Sequence, residues 1–463
     1  MKKLYLAFIF TLLLSLFSMP AGAADVKFFG DYYVIGQWTS NFSLNDGSGT
    51  AAQQADNGGR GTFGQRLRVG TVFQITEGLK LTTRFDALER VWGQEAAVGT
   101  PNPATTSTGT GGFQDENNIS WERAYVTFNL GPGFFDVGYQ AVNYWSPIAF
   151  GNTSASSGGM IRYTAPIGPL TLSAYWQKGL EREFDPTIYK PSDWDRYALQ
   201  GIYRWKSGQA GLQLLWEHYE SSVAETFDIW NTQVAVPFPA TMNYYEISPY
   251  VQAKLGPVDL EGKLYWTKGE FESKTAAYSD RDIDGLAAYL NGKVNIGPAY
   301  VGVMFAYIKG DDPNDSDQTV SHGGGRDWDP TLMVGNDKFA KWQGGRYRST
   351  IGWGTPSGGV KFRGGWSEEN FVIYQGYAGY NPIPKLALRA SFSYMKQDET
   401  PNGYVDDHIG NEFDITASYK IYPNLTYMVG FGYFWAGDWF KGTNASFQID
   451  DCYLLMHQLT MTF

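Results

Sequence analysis

The sequence is poor in the residues on which several protein classes depend. Cys452 is the one cysteine in 463 residues, so no internal disulfide can form, as expected for a chain exported through an oxidising compartment with few free thiols. The four histidines are scattered, and no serine-hydrolase, zinc-peptidase or phosphate-loop motif accompanies them. Catalysis therefore has little support, and neither a cofactor nor a resident metal is predicted, although spacing rules cannot detect a Ser/His pair formed across strands.

Long hydrophobic runs are also missing after the first 23 residues. Without about 18 consecutive apolar residues, no later segment is expected to cross a membrane as a helix. Lys2 and Lys3 precede a short apolar stretch, and Ala21-Gly22-Ala23 forms a small-residue cleavage site, a pattern typical of a secretory signal. We therefore predict a signal peptide over residues 1–23 and one domain over residues 24–463.

Basic residues are the minority, with 36 Lys and Arg against 47 Asp and Glu and a net charge of −11. No basic stripe is available to neutralise phosphates, which disfavours nucleic-acid binding. Acids crowd one predicted loop, from Asp311 to Asp329, but the spacing lacks the central glycine and distal glutamate of an EF-hand. A solvated acidic loop is the favoured interpretation, and divalent bridging to lipopolysaccharide phosphates is the alternative.

Aromatic residues are abundant, at 16% of the chain, and the last strand shows how they are used. Phe463 ends a stretch in which apolar and polar residues alternate. Tyr453, Leu455, Leu459 and Met461 share its face, whereas Gln458, Thr460 and Thr462 lie on the other. A strand with one apolar face and a terminal aromatic is typical of the closing strand of a bacterial outer-membrane β-barrel, with lipid on one side and a polar lumen on the other.

The connections alternate between short and long. Eight short turns are rich in Gly, Pro and Asn, which supply the backbone geometry of tight turns. Nine long connections lie between them, at residues 41–62, 93–116, 141–158, 182–193, 220–240, 271–281, 310–366, 397–409 and 441–449. Seventeen connections predict an all-β transmembrane antiparallel barrel of about 18 strands (16–18), with short periplasmic turns and long extracellular loops. The count is weakest around residues 326–366, where a hairpin or plug segment could change it.

Alternation also predicts which charges enter the lumen, because a charge facing lipid costs roughly 2–4 kcal/mol at the midplane. The predicted pore-lining residues are Arg66, Arg68, Arg84, Asp86, Arg123, Arg162, Arg196, Arg204, Glu246 and Lys263. Arginine-rich walls select anions, which indicates a path for anions or acidic sugars. Cross-bracing of a wide barrel by Arg and Asp pairs is the alternative, and later lumen acids such as Glu412 and Asp414 would offset the positive field.

The third long loop carries Asn143, Tyr144, Trp145 and Phe150 among glycines and small residues. Such a loop is predicted to fold into the lumen and narrow it. The alternative is an ordinary outward loop with its aromatic side chains at the membrane surface.

With Arg66-Leu67-Arg68-Val69-Gly70, Gly138-Tyr139-Gln140 and the terminal Phe463, the chain resembles the Gram-negative outer-membrane porins. Among these it is similar to the roughly 18-stranded specific channels of the alginate-export and related families. The resemblance implies passive diffusion of small hydrophilic solutes across the bacterial outer membrane. In alginate exporters an arginine-lined lumen passes a polyuronate, which Arg66, Arg68, Arg84 and Arg123 would match.

The resemblance also implies partners. Outer-membrane lipid and lipopolysaccharide would surround the barrel, and the barrel-assembly machinery would recognise the C-terminal strand through Phe463 as an assembly signal. The chain would be a monomer or a trimer. Two other functions remain open: a barrel sheath for a periplasmic partner such as an electron-transfer protein, and an outer-membrane enzyme.

Overall fold

A computed structural model describes most of the chain. The described residues are 25–44, 60–92, 119–142, 145–148, 150, 157–181, 193–221, 225–229, 232–236, 240–276, 279–315, 318–319, 328–336, 350–351, 355–357, 360–361 and 370–463. The predicted signal at 1–23 lies outside them. Among these residues, none of the helical segments has the length and hydrophobicity of a membrane-spanning helix.

Eighteen long strands build one antiparallel sheet. They are β1 Asp25–Ser40, β2 Arg60–Thr76, β3 Leu79–Val91, β4 Ile119–Leu130, β5 Gly133–Ala141, β6 Ser157–Ile167, β7 Leu170–Glu181, β8 Asp193–Trp205, β9 Gly208–Ser221, β10 Ala240–Leu255, β11 Val258–Ser273, β12 Arg281–Ile296, β13 Ala299–Ile308, β14 Phe371–Ile383, β15 Leu386–Lys396, β16 His408–Tyr422, β17 Leu425–Ala436 and β18 Cys452–Thr462. Strand β18 pairs with β1, from Asp31 opposite Thr462 to Ser40 opposite Tyr453. The sheet is therefore closed, which confirms the predicted barrel and its strand number.

Two-residue turns join the strands at one end of the barrel, as predicted. Gly131 and Gly256 adopt φ values of 61° and 63°, a left-handed conformation that glycine reaches without steric cost. The turn predicted at 381–384 is shorter than expected, because β14 continues to Ile383. The strand pairing is irregular between Tyr380 and Ile383, and this irregularity accommodates Pro382, which has no N–H to give to the ladder.

Within the long connection 309–370, the described short strands do not enter the barrel wall between β13 and β14. Residues 318–319 lie parallel to the start of β12, and 350–351 pair with 360–361. Strand β13 pairs directly with β14, with Ile308 opposite Phe371. A separate hairpin of 225–229 and 232–236 lies in the loop after β9.

Side chains alternate between an exposed outer face and a covered inner face. On β17, Tyr427, Val429, Phe431 and Trp435 are exposed, whereas Phe434 is buried. On β3, Ala87 departs from this alternation, because it is buried like its neighbour Asp86. A pairing irregularity between Gln65 and Leu67 on the neighbouring strand ends the regular alternation there.

An outer aromatic row marks one edge of the hydrophobic belt. Its members lie directly opposite one another on β7–β10 and are exposed: Trp176, Tyr197, Trp216 and Tyr245. Two residues further toward the long loops lies a polar row of Lys178, Asp195, His218 and Asn243. Aromatic side chains followed by polar ones are typical of the membrane–water interface, so the long loops emerge beyond this boundary.

Candidate functional site

Arginines and carboxylates cluster on the inner face of β1–β4. Asp31, Arg68 and Asp86 stand opposite one another on three successive strands. Arg68 binds Asp86 through two bonds of 2.7 Å, Nε to Oδ1 and Nη2 to Oδ2. Arg66 donates from Nη2 to Asp31 Oδ2 at 3.3 Å, and its guanidinium carbon lies 4.9 Å from the centre of the Tyr33 ring.

Glu122 completes this cluster, and alternation alone did not predict it. Arg84 pairs with Arg123, but the next residue, Phe85, pairs with Trp121, so Glu122 is the extra residue of a β-bulge. A bulge disrupts the strict alternation of faces, and Glu122 Oε2 accepts bonds from Arg68 Nη2 at 3.2 Å and from Arg84 Nη2. The sequence did contain one signal for this bulge. Strict alternation assigns the Glu122 carboxylate to the lipid-facing side, where a charge is unfavourable.

The cluster has more cations than anions and is partly open. Four arginines, Arg66, Arg68, Arg84 and Arg123, meet the three carboxylates Asp31, Asp86 and Glu122, which leaves one net positive charge among these seven residues. The side chains of Arg66, Arg68 and Glu122 are 17%, 16% and 21% exposed, whereas that of Asp86 is 4% exposed. Arg66 and Arg68 therefore face the interior space, whereas Asp86 and Arg84, which is 6% exposed, lie beneath them.

Two further predicted arginines lie outside the cluster. Arg162 stands opposite Asp136 on the neighbouring strand, with its guanidinium carbon 5.3 Å from the centre of the Tyr175 ring. Arg204 is exposed near the short-turn end of β8 and donates to Thr171 Oγ1 at 2.8 Å.

Arg196, Glu246 and Lys263 lie on the inner face as predicted, but they are 1%, 1% and 4% exposed. Arg196 Nε lies 2.5 Å from Glu217 Oε2, and Glu246 accepts a 3.1 Å bond from Gln213. Side chains this deeply buried cannot line an open passage. Arg196 pairs with Glu217, whereas Glu246 Oε2 is buried with no hydrogen-bond partner among the described residues.

The third long loop covers part of this wall. Its described residues are 145–148 and 150, and the predicted Asn143 and Tyr144 lie outside the described part of the chain. Trp145 Nε1 donates to the Ser248 carbonyl at 2.9 Å, and Lys263 Nζ donates to the Trp145 carbonyl at 2.8 Å. Phe150 stacks on Tyr289, with 5.4 Å between ring centres. A loop that follows β5 thus reaches the inner faces of β10–β12.

Residues 328–336 of the long connection after β13 cover a second stretch of wall, within the region where the sequence left open a hairpin or plug segment. Glu412 accepts bonds from the N–H groups of Met333 and Val334 at 2.7 and 2.9 Å. Gln375 on β14 donates to the Pro330 carbonyl at 2.6 Å. Trp328 meets Phe150 edge-to-face at 5.1 Å, so the two loop segments contact each other inside the barrel.

The acidic loop shows no comparable site. Asp312 accepts bonds from the backbone and side chain of Asn314, at 2.8 and 3.1 Å. Asp317 and Asp327 lie outside the described residues. Within the described ranges, no group of three or more His, Cys, Asp or Glu residues is arranged to hold a metal ion.

The model of the Gram-negative porin family matches residues 11–335, well over half of the chain. The protein belongs to the Gram-negative porin family. Its interior charges and inward-folded loops are therefore those of an outer-membrane channel for small solutes, and the bacterial outer membrane is its location.

Two solved structures are similar to this porin over most of their length. Acinetobacter baumannii OccAB2 is 11% identical over 94% of this chain and 98% of that one, with a TM-score of 0.52. Pseudomonas aeruginosa OccK2 (OpdF), solved in complex with glucuronate, is 12% identical over 95% and 97% of the two chains, with a TM-score of 0.47. No curated protein matches the porin sequence.

Proposed function

We propose that this porin favours small anionic solutes and that the arginine cluster of β1–β4 lies on their path. The observation that carries the proposal is the uneven cover of the interior. Loop residues 145–148 and 150 lie over β10–β12, and residues 328–336 lie over β14–β17. The arginine cluster remains partly exposed on the wall between them.

In this proposal the third loop narrows the passage. Trp145 is tied to two strands by hydrogen bonds, and Phe150 is wedged between the Tyr289 and Trp328 rings. Solutes would then pass between this packed aromatic surface and the arginines. A narrow passage brings each solute close to the arginine cluster, so the charge of the cluster acts more strongly on the solute.

The expected selectivity is moderate. One unit charge at about 7 Å in water changes an ion's energy by roughly 0.6 kcal/mol, close to the thermal energy, and salt screens it further. Three carboxylates offset most of the arginine charge. A few-fold preference for anions is therefore expected, and not exclusion of cations.

The test is the reversal potential of the refolded porin in a planar bilayer across a KCl gradient. We expect chloride preference, and a smaller preference for Arg66→Gln. Lys268→Gln is the matched control, because Lys268 lies on the exposed outer face and pairs with Asp284 at 2.9 Å. Cation preference, or equal behaviour of the two variants, would contradict the proposal. Absence of conductance in a folded barrel would favour the sheath or the enzyme.

The ends of the chain carry two further proposals. Cleavage after Ala23 would start the mature chain at Ala24, which N-terminal sequencing tests. Phe463 exchanges backbone hydrogen bonds with Gly30 at 2.9 and 3.1 Å and has an exposed ring. This placement supports its role as a signal to the barrel-assembly machinery, and Phe463→Ala would lower the amount of barrel in the outer membrane.

A further inference from the structure

We infer that Glu122 is a specificity-determining residue of this channel: its carboxylate acts as a tethered competitor for the anions that the arginine cluster attracts. The inference rests on the proposed function. Glu122 would then set the balance between attracting a solute carboxylate to the cluster and releasing it.

The geometry places Glu122 where a solute oxyanion would bind. One oxygen, Oε2, lies between Arg68 Nη2 on β2 and Arg84 Nη2 on β3. A carboxylate that bridges two guanidinium groups is a favoured arrangement for charge-assisted hydrogen bonds. A carboxylate or phosphate entering the lumen would seek the same two donors, so it has to displace Glu122 or bind beside it.

The neighbouring carboxylates are placed differently. Asp86 uses both oxygens on Arg68 and is 4% exposed, which makes it a brace between β2 and β3. Asp31 contacts the single guanidinium of Arg66 at 3.3 Å. Glu122 is the carboxylate that is partly exposed and also holds two arginines, so its displacement frees two donors at once.

The bulge is what makes this position possible. In strict alternation residue 122 lies on the face opposite to its neighbour Arg123, so an inward Arg123 would place Glu122 on the outer face. The extra residue between the Arg84–Arg123 and Phe85–Trp121 pairs instead brings Glu122 into contact with the inner arginines. Bulges that re-aim one side chain are frequent next to functional sites.

The experiment compares block of the KCl current by glucuronate, an anion with one carboxylate on a hydroxyl-rich ring, in single channels. Glu122→Gln removes the charge, and Glu122→Ala also removes the cover over the two arginines. We expect the half-blocking concentration to fall about three-fold or more for Glu122→Gln and further for Glu122→Ala. Glucose, which is neutral, should block all variants equally.

Glu261→Gln is the matched control. Glu261 also lies on the inner face, but it accepts bonds from the amides of Gln252 and Asn291 at 2.9 and 3.4 Å. Its loss should move the reversal potential slightly and leave the half-blocking concentration within about two-fold of wild type. In an Arg84→Gln background, Glu122→Gln should have a smaller effect than alone, because the two side chains share a contact.

Two failures are distinguishable. If Arg68→Gln and Arg84→Gln weaken glucuronate block but Glu122→Gln leaves it unchanged or behaves like Glu261→Gln, the inference about Glu122 is overturned and the proposed function stands. If the arginine variants also leave block and reversal potential unchanged, the proposed function fails. Heat-modified mobility of each barrel on gels confirms that the compared variants are folded.

Discussion

The arginine cluster and the acid pair Glu412 and Asp414 differ in what their charges contact. Both lie on the inner face, in strands with the same alternation. Arg66 and Arg68 bind carboxylates of neighbouring strands and remain partly exposed. Glu412 and Asp414 are buried, and Glu412 accepts bonds from the backbone of residues 333 and 334. An inward charge is thus a lining charge only where no loop has folded over it.

This difference predicts that buried interior charges govern stability, whereas the cluster governs selectivity. The largest effect is expected for Arg196→Met. It leaves Glu217 as an uncompensated buried charge, which costs about 3–5 kcal/mol of unfolding free energy. Urea unfolding in detergent, followed by tryptophan fluorescence, measures the loss. Arg204 is an exposed arginine on the same strand, so Arg204→Met is the control. Equal losses of unfolding free energy in the two variants would show that burial of the arginine does not determine the cost.

A smaller effect is expected at the acid pair. Glu412→Gln replaces an acceptor oxygen with an NH₂ group facing backbone N–H donors, at a cost of about 1.5–3 kcal/mol. The effect on function should be larger than the effect on stability. Residues 328–336 lose their anchor on Glu412, so single-channel conductance should rise. Glu261 accepts bonds from the strand residues Gln252 and Asn291, so conductance equal to that of Glu261→Gln would argue against an anchoring role for Glu412.

The smallest of these changes concerns the third loop. Lys263→Met keeps a chain that can pack on the Tyr265 ring but loses the bond to the Trp145 carbonyl, worth about 1 kcal/mol. We expect more open-channel noise, because the loop is then tied to the wall by fewer bonds. Lys293→Met is the comparison, since Lys293 is a half-exposed lysine on β12 paired with Asp259. Identical open-channel noise in both variants would show that the bond from Lys263 does not hold the third loop against the wall.

Local patterns explain why much of the fold was predictable. The strand number and the closure of the barrel follow from turn residues and period-two alternation. Both patterns can be recognised in short stretches of sequence, such as 131–133 and 425–435. Glu122 was missed because a bulge is decided by how β3 and β4 pair, not by either strand alone. The burial of Arg196, Glu246 and Lys263 depends on loops that come from distant parts of the chain. Alternation assigns a face, but it cannot assign exposure.

The most direct measurement of the central claim uses the one native thiol, Cys452, which is 1% exposed and gives a low background. Arg66→Cys and Ser393→Cys channels would be treated in a bilayer with a negatively charged, water-soluble methanethiosulfonate, because Ser393 is 0% exposed and lies opposite Glu412. We predict that current through Arg66→Cys falls within seconds of addition, whereas Ser393→Cys and wild type keep their current. Equal reaction of both cysteines, or reaction at position 393 alone, would contradict a solute path along the arginine cluster.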